Sequence, residues 1–389
     1  MGNGFLPQEQ PLQGLDDPYY EPWERLARNL AVSIEKQTFR QLVLEMPLLN
    51  MDRLRERREM QRAYVLLSFF TQAWIWQRPE PCEKVPPILS KPYLAVCEAL
   101  GMVPTATFAA YCLWNWRLRD AKDVMRPENL STNVSFTGLT DESWFFSIST
   151  AIEGLGAQLL HDTMPFVDDM QQLSLAEVLG CAKILTGHVR AMQAMLLRMR
   201  EGCDPQIFYW KLRPLLAGSA NMKSSGLPHG IVYEQEDDTQ HYQTFSGGSN
   251  AQSSLLQYID ALIGRDDRNS PSGEFMHAML RYMPPPHQAF LHRIRSGHSL
   301  LDACHRLGEA CPTDGAAAMQ AVLESRRAMH ELRSQHIRIV VQYIIIPQGR
   351  QKQDSRGERA GMAVKGTGGS DPMALLKGSR GSRGPRWTG

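Results

Sequence analysis

Residues 314–347, DGAAAMQAVLESRRAMHELRSQHIRIVVQYIIIP, decide how the rest of the chain is read. Met329, Leu332, Ile339, Val340 and Tyr343 recur at three- and four-residue steps, the spacing of one helical face. Asp314 is placed to cap this helix and Pro347 to end it. At about 1.5 Å per residue such a helix runs on the order of 50 Å, across a whole domain. His336 falls in the middle of the apolar stripe, whereas Arg333, Arg338 and Gln342 lie off it. A single histidine on an apolar face reads either as a hydrogen-bonded core residue or as a ligand for a metal or a haem iron. Spacing does not choose between the two.

Outward from that helix the chain reads as all-α. Tyr19–Lys36 carries the stripe Trp23, Leu26, Ala27 and Leu30, and a second helix follows Asp52. That helix is charged in its first half and apolar in its second, so one end is solvated and the other deeply buried. Residues 78–92 read as a Pro-rich connector and 93–120 as two short helices. Residues 141–160, Ser174–Arg200, Asp204–Gly218, the segment after Gly248 and the segment after Pro286 complete the helices. GIVYEQ at 230–235 reads as a short strand. The irregular stretch 120–137 divides a small N-terminal unit, 1–125, from a larger one, 126–377. Residues 348–365 hold almost nothing apolar and read as a mobile loop, and 378–389 as a disordered basic tail.

Composition removes several function classes. The net charge of +1 gives no global field for nucleic acid. No apolar run reaches the roughly 20 residues that span a bilayer, since Thr71 and Gln72 interrupt 65–76. The N-terminus has neither the pattern of a secretory signal nor that of a myristoylation site. The seven cysteines are scattered without metal-like spacing, which points to reduced thiols and a cytoplasmic protein. HExxH and GxSxG are absent from the sequence.

The candidate chemistry is sparse. GTGG at 366–369 and GGS at 247–249 are short Gly-rich loops, each too weak alone to mark a phosphate site. Trp144, Phe145 and Phe146 suit a core as well as a ligand slot. Arg213 follows Phe208, Tyr209 and Trp210 on a strongly apolar helix, where a cation needs a partner. It reads as a structural ion pair or as a clamp for a carboxylate.

An ordered series of motifs then resembles one family, the indoleamine 2,3-dioxygenases. The series runs GFLP (4–7), RAYVLLSFFTQAWIW (62–76), NW (115–116), SFTG and WFFSIS (135–149), and CDPQIFYWKLRPLLAG (203–218). It continues through LPHGIVYE, GGSNAQSSLLQYIDALIG, RYMPPPHQAFL, LRSQHIRIVVQYIIIP and GTGGSDPMALLK, covering 4–377. The resemblance implies one haem b per chain with His336 as the iron ligand, and Ser249, Gly248 and Arg333 on the cofactor. It implies Phe145, Phe208 and Ser149 in the distal pocket, Arg213 on the substrate carboxylate and Thr367 on a closing loop.

The activity it implies is insertion of both atoms of O2 across the indole C2–C3 bond of L-tryptophan, giving N-formylkynurenine, with a reductant keeping the iron ferrous. It further implies a monomer with no nucleic-acid or membrane partner. Phe108, Trp114, Asn250 and Ser370 depart from the family pattern, so pocket size and loop closure are open. Two other readings stand beside this one: a relative acting on another indole, and a haem-binding signalling homologue of low activity.

Overall fold

A computed structural model describes residues 3–77, 80–120, 125–235, 241–264 and 271–349. The helices of ten residues or more are α1 (Arg57–Trp76), α2 (Pro87–Leu100), α3 (Thr140–Val167), α4 (Leu175–Leu197), α5 (Ser254–Ile263), α6 (Pro285–Ser296), α7 (Leu300–Ala310) and α8 (Pro312–Val340). Strands are short: β1 (Lys84–Val85), β2 (Trp116–Leu118), β3 (Leu130–Thr132), β4 (Ile231–Tyr233) and β5 (Tyr242–Gln243). β4 lies between β1, its parallel partner, and antiparallel β5, while β2 and β3 form a separate hairpin. The all-α expectation holds, and the expected strand in GIVYEQ is β4.

α1 shows why these residues fold as they do. Glu56 and Glu59 form a capping box that takes up amide donors of the first turn. From Arg62 to Trp76 every residue is buried, so the apolar half is a core helix on all sides. Burial of Arg62 is compensated by a fork onto Glu24, with Nε–Oε1 at 3.0 Å and Nη2–Oε2 at 2.6 Å. Glu24 Oε1 also accepts the Leu15 amide, pinning the extended N-terminal segment.

α8 packs along α4 and against α7. Thr186 and Ser325 join their hydroxyls at 2.9 Å across the α4–α8 contact, and Gln193 Nε2 donates to the Ala328 carbonyl. Gly315 crosses Gly308 so closely that a Cβ on Gly315 would stand 2.3 Å from the Gly308 Cα. Only glycine permits that approach.

Several boundaries differ from the sequence expectation. α8 begins at Pro312 with Cys311 as its N-cap, and Asp314 sits inside the first turn, where its charge favours the helix N-terminus. Pro347 does not end the helix. A π turn, Val341–Ile345, follows α8, and 346–349 are again helical. The wider winding of the π turn leaves room for a proline ring that a regular turn would clash with. The expected helix over Tyr19–Lys36 is two, Glu21–Arg28 and Leu30–Glu35, parted at Asn29, whose amide returns to the Arg25 carbonyl. Pro87 opens α2 instead of lying in a connector. The aromatic run after Thr107 is a π turn, Ala109–Leu113, followed by β2, and not a second short helix.

Candidate active site

Phe145 lies one turn into α3. The turn before it is organised by Glu142, whose carboxylate accepts from the Ser135 and Thr137 hydroxyls and the Phe136 and Thr137 amides at 2.6–2.8 Å. This explains the SFTG segment: its donors secure the start of α3, and Gly138 turns the chain at φ 67°. Ser149 follows Phe145 by four residues and shares its face. Phe145 is half-buried and Ser149 buried.

Phe208 and Arg213 come from the other side. Asp204 caps a short helix through the Gln206 and Ile207 amides, and Phe208–Leu212 is then wound as a π turn. The Arg213 amide donates to the Phe208 carbonyl, so residues five apart stack nearly one above the other. In a regular α-helix they would diverge by well over a right angle. The Phe208 ring meets that of Phe145 with centroids 4.8 Å apart and a tilt of 41°. Arg213 is buried, with its guanidinium 5.3 Å from the Tyr209 ring centre, and burial lowers its pKa. An arginine so placed remains cationic and offers a planar fork of donors.

Buried amides fix these segments against their neighbours. Gln72 of α1 donates to the Leu215 and Ala217 carbonyls at 3.0 and 2.9 Å, and Trp76 Nε1 also reaches Ala217. Gln252 accepts the Phe108 amide at 2.9 Å and donates to the Gly247 carbonyl at 3.0 Å. Gly248 lies beneath the Tyr111 ring, and a Cβ there would stand 2.3 Å from its Cε2. Tyr111 in turn stacks on Phe146 at 5.3 Å and 14°. Ser249, next in the chain, caps a short turn by accepting the Ala251 amide. The Trp114 ring is buried edge-on against Tyr64, in the packing around α1.

His336 lies in α8, seven residues before Tyr343, whose ring is T-shaped to Phe208 at 5.8 Å. Two helical turns, about 10 Å, thus separate His336 from the contact with the Phe145–Phe208 pair. Three residues before it, Arg333 grips Asp260 of α5. The site residues of α8 therefore sit between a tie to α5 and a contact with the 208–212 turn. Burial holds the His336 pKa below the ordinary 6.5, and the residue as a whole is half-buried. No described residue joins it in a group of three or more ligating side chains, so no bare ion is chelated here. A neutral imidazole is the donor a haem iron takes, so His336 is the residue that would hold the group.

Thr367, Ser370, most of the 348–365 loop and the basic tail lie outside the described residues. The sequence reading missed Gln72, Gln252, Tyr343 and Asp260. The two glutamines could not be singled out, because an amide's value depends on which carbonyls the fold brings to it.

The family profile for indoleamine 2,3-dioxygenase matches residues 1–384. An indoleamine 2,3-dioxygenase of Aspergillus nanangensis is 35% identical over 390 residues, covering 97% of this chain and 93% of its own. A 6-hydroxytryptophan 2,3-dioxygenase of Fusarium equiseti is also 35% identical, over 386 residues and the same shares of each chain. The indoleamine 2,3-dioxygenase of Saccharomyces cerevisiae is 31% identical over 371 residues, 91% of this chain and 80% of its own. The chain belongs to the indoleamine 2,3-dioxygenase family of haem-dependent oxidoreductases.

Proposed function

We propose that the chain binds one haem b through His336 and oxidises L-tryptophan with O2 to N-formylkynurenine. The observation that carries this reading is the Phe145–Phe208 pair, 4.8 Å apart, with buried Arg213 stacked one π turn beyond. An amphoteric substrate with a flat apolar ring and a carboxylate needs such a pairing of surfaces. The two phenyl rings take the indole face, and Arg213 takes the carboxylate by two parallel hydrogen bonds.

When bound, the haem supplies the oxygen chemistry, and both oxygen atoms enter the product. The polypeptide holds the indole at a fixed angle and distance and keeps water from the reacting carbons. In this reading Ser149, one turn beyond Phe145 on the same face of α3, is a polar group of the distal pocket, and Ser249 and Gly248 border the cofactor. Arg333, already paired with Asp260, sets the place of α8 against α5. Thr367 would complete the pocket from the segment beyond 349.

Residues 1–125 form the cover of the substrate side in this proposal, supported by Tyr111 on Gly248 and the Phe108 amide on Gln252. Free thiols support a cytoplasmic location in this reading. Among the described residues no helix is long and apolar enough to cross a membrane.

A second reading is favoured by one finding, the match to a 6-hydroxytryptophan enzyme that is as extensive as the match to indoleamine enzymes. Here the preferred indole carries a ring substituent. Turnover of the haem-loaded, reduced protein on L-tryptophan and ring-hydroxylated tryptophans separates the two. Highest kcat/KM on L-tryptophan supports the first; a preference of about tenfold or more for a hydroxylated ring replaces it with the second.

A further inference from the structure

The face of α3 that carries Phe145 and Ser149 continues, four residues on, to Glu153. Its carboxyl is buried at 2% exposure, and Oε2 has no hydrogen-bond partner. Oε1 accepts from the Ser253 hydroxyl at 2.6 Å. Ser253 is the N-cap of α5, and the same hydroxyl accepts the Leu256 amide at 3.4 Å. Its donor and acceptor capacities are therefore both committed, one to α3 and one to the first turn of α5. Just before it, Gln252 holds Gly247 and Phe108, and Ser249 is four residues upstream.

We propose that Glu153 is a positioning residue: through Ser253 it fixes the start of α5, and with it the 246–252 segment, against the substrate-side helix α3. The functional part of this rests on the reading that 246–252 borders the pocket.

The form that does this is the neutral acid. Burial raises the Glu153 pKa to about 7, with the Ser253 hydrogen bond opposing the rise. The groups that face it are the Ser253 hydroxyl from α5 and, from the 109–113 turn, the Cys112 thiol, itself raised by burial. Among the described residues no cation acts on it. An ionised carboxylate would have one donor and no counter-charge, which a buried anion does not tolerate without rearrangement.

The test compares haem-loaded wild type, Glu153→Gln and Ser253→Ala in kcat/KM for L-tryptophan and in unfolding midpoint, from about pH 6 to about pH 8. Glutamine keeps an acceptor for Ser253 and cannot ionise. At the acid end E153Q should lie within about twofold of wild type, and its advantage should grow by about threefold or more at the alkaline end. Ser253→Ala removes the bond that holds the pKa down, so its falling limb should move to higher pH, a shift that loss of packing alone would not produce.

Parallel pH profiles for wild type and E153Q would overturn the proposal, as would a loss beyond about tenfold in E153Q at the acid end. A wild type without turnover on L-tryptophan would refute the substrate reading alone. The unfolding midpoints then decide: a gap between E153Q and wild type that widens with pH supports the role, and a constant gap overturns it.

Discussion

In the proposed reading Arg213 carries the specificity of the site, as the buried cation five residues after Phe208. Arg213→Ala should lower kcat/KM for L-tryptophan by about a hundredfold, chiefly through KM, which corresponds to roughly 3 kcal/mol of a charge-assisted contact. Arg213→Lys keeps the charge but loses the fork, so it should recover only part of that. Both variants should retain haem, and steady-state kinetics with a Soret measurement check the pair; an unchanged KM in Arg213→Ala would remove the arginine from this role. Arg213 was legible in the sequence because a cation amid Phe208, Tyr209 and Trp210 stands out. Its partner surfaces were not. Glu153 looks in sequence like any helical glutamate, and only the fold shows it buried and bonded to Ser253.

Among the elements, three π turns border the proposed site: 109–113 brings Tyr111 onto Gly248, 208–212 bonds the Arg213 amide to the Phe208 carbonyl, and 341–345 brings Tyr343 onto Phe208. Each inserts about one extra residue per turn and so re-aims the side chains after it. Deleting the exposed Trp210 should return the 208–212 turn to regular winding and leave Arg213 four residues after Phe208, still on its face. The expected result is haem still bound and tryptophan turnover within about tenfold of wild type, readable by the same kinetics; a loss of about a hundredfold would show that the π winding itself sets the placement of Arg213.

Apolar periodicity made the long helices legible, and Ser174 and Asp204, where two of the expected segments begin, prove to be N-caps. The π turns were not legible, since the insertion of one residue leaves the apolar pattern nearly intact. That is also why Pro347 misled: a proline normally ends a helix, but here a widened turn precedes it.

At the scale of the whole molecule, two buried groups set opposing pH slopes. Glu153, raised from 4.5 to about 7, favours the native state in its protonated form, so its contribution is lost as pH rises between those values. His287 packs on Phe5 at 5.0 Å and is hydrogen-bonded to Ser254; burial, then Arg57, lowers its pKa from 6.5 to about 4. Its contribution is lost as pH falls across that window. Each slope is at most about 1.4 kcal/mol per pH unit, and where the windows overlap they oppose one another.

Glu153→Gln should therefore make stability fall more steeply toward acid than in wild type. His287→Gln should make it fall more steeply toward neutral pH, and the double variant should return near the wild-type slope. Denaturant unfolding at about pH 5 and about pH 6.5 measures all four proteins, and equal slopes throughout would contradict the assignment of both groups.

The central claim is that α8 presents His336 to a haem beside the pocket made by Phe145, Phe208 and Arg213. The absorption spectrum of the haem-reconstituted protein, with and without L-tryptophan, tests it most directly when wild type is set beside His336→Ala. The account predicts a Soret band in wild type that shifts on adding L-tryptophan, and its loss in a folded His336→Ala. A Soret band of unchanged position and intensity in His336→Ala would contradict it.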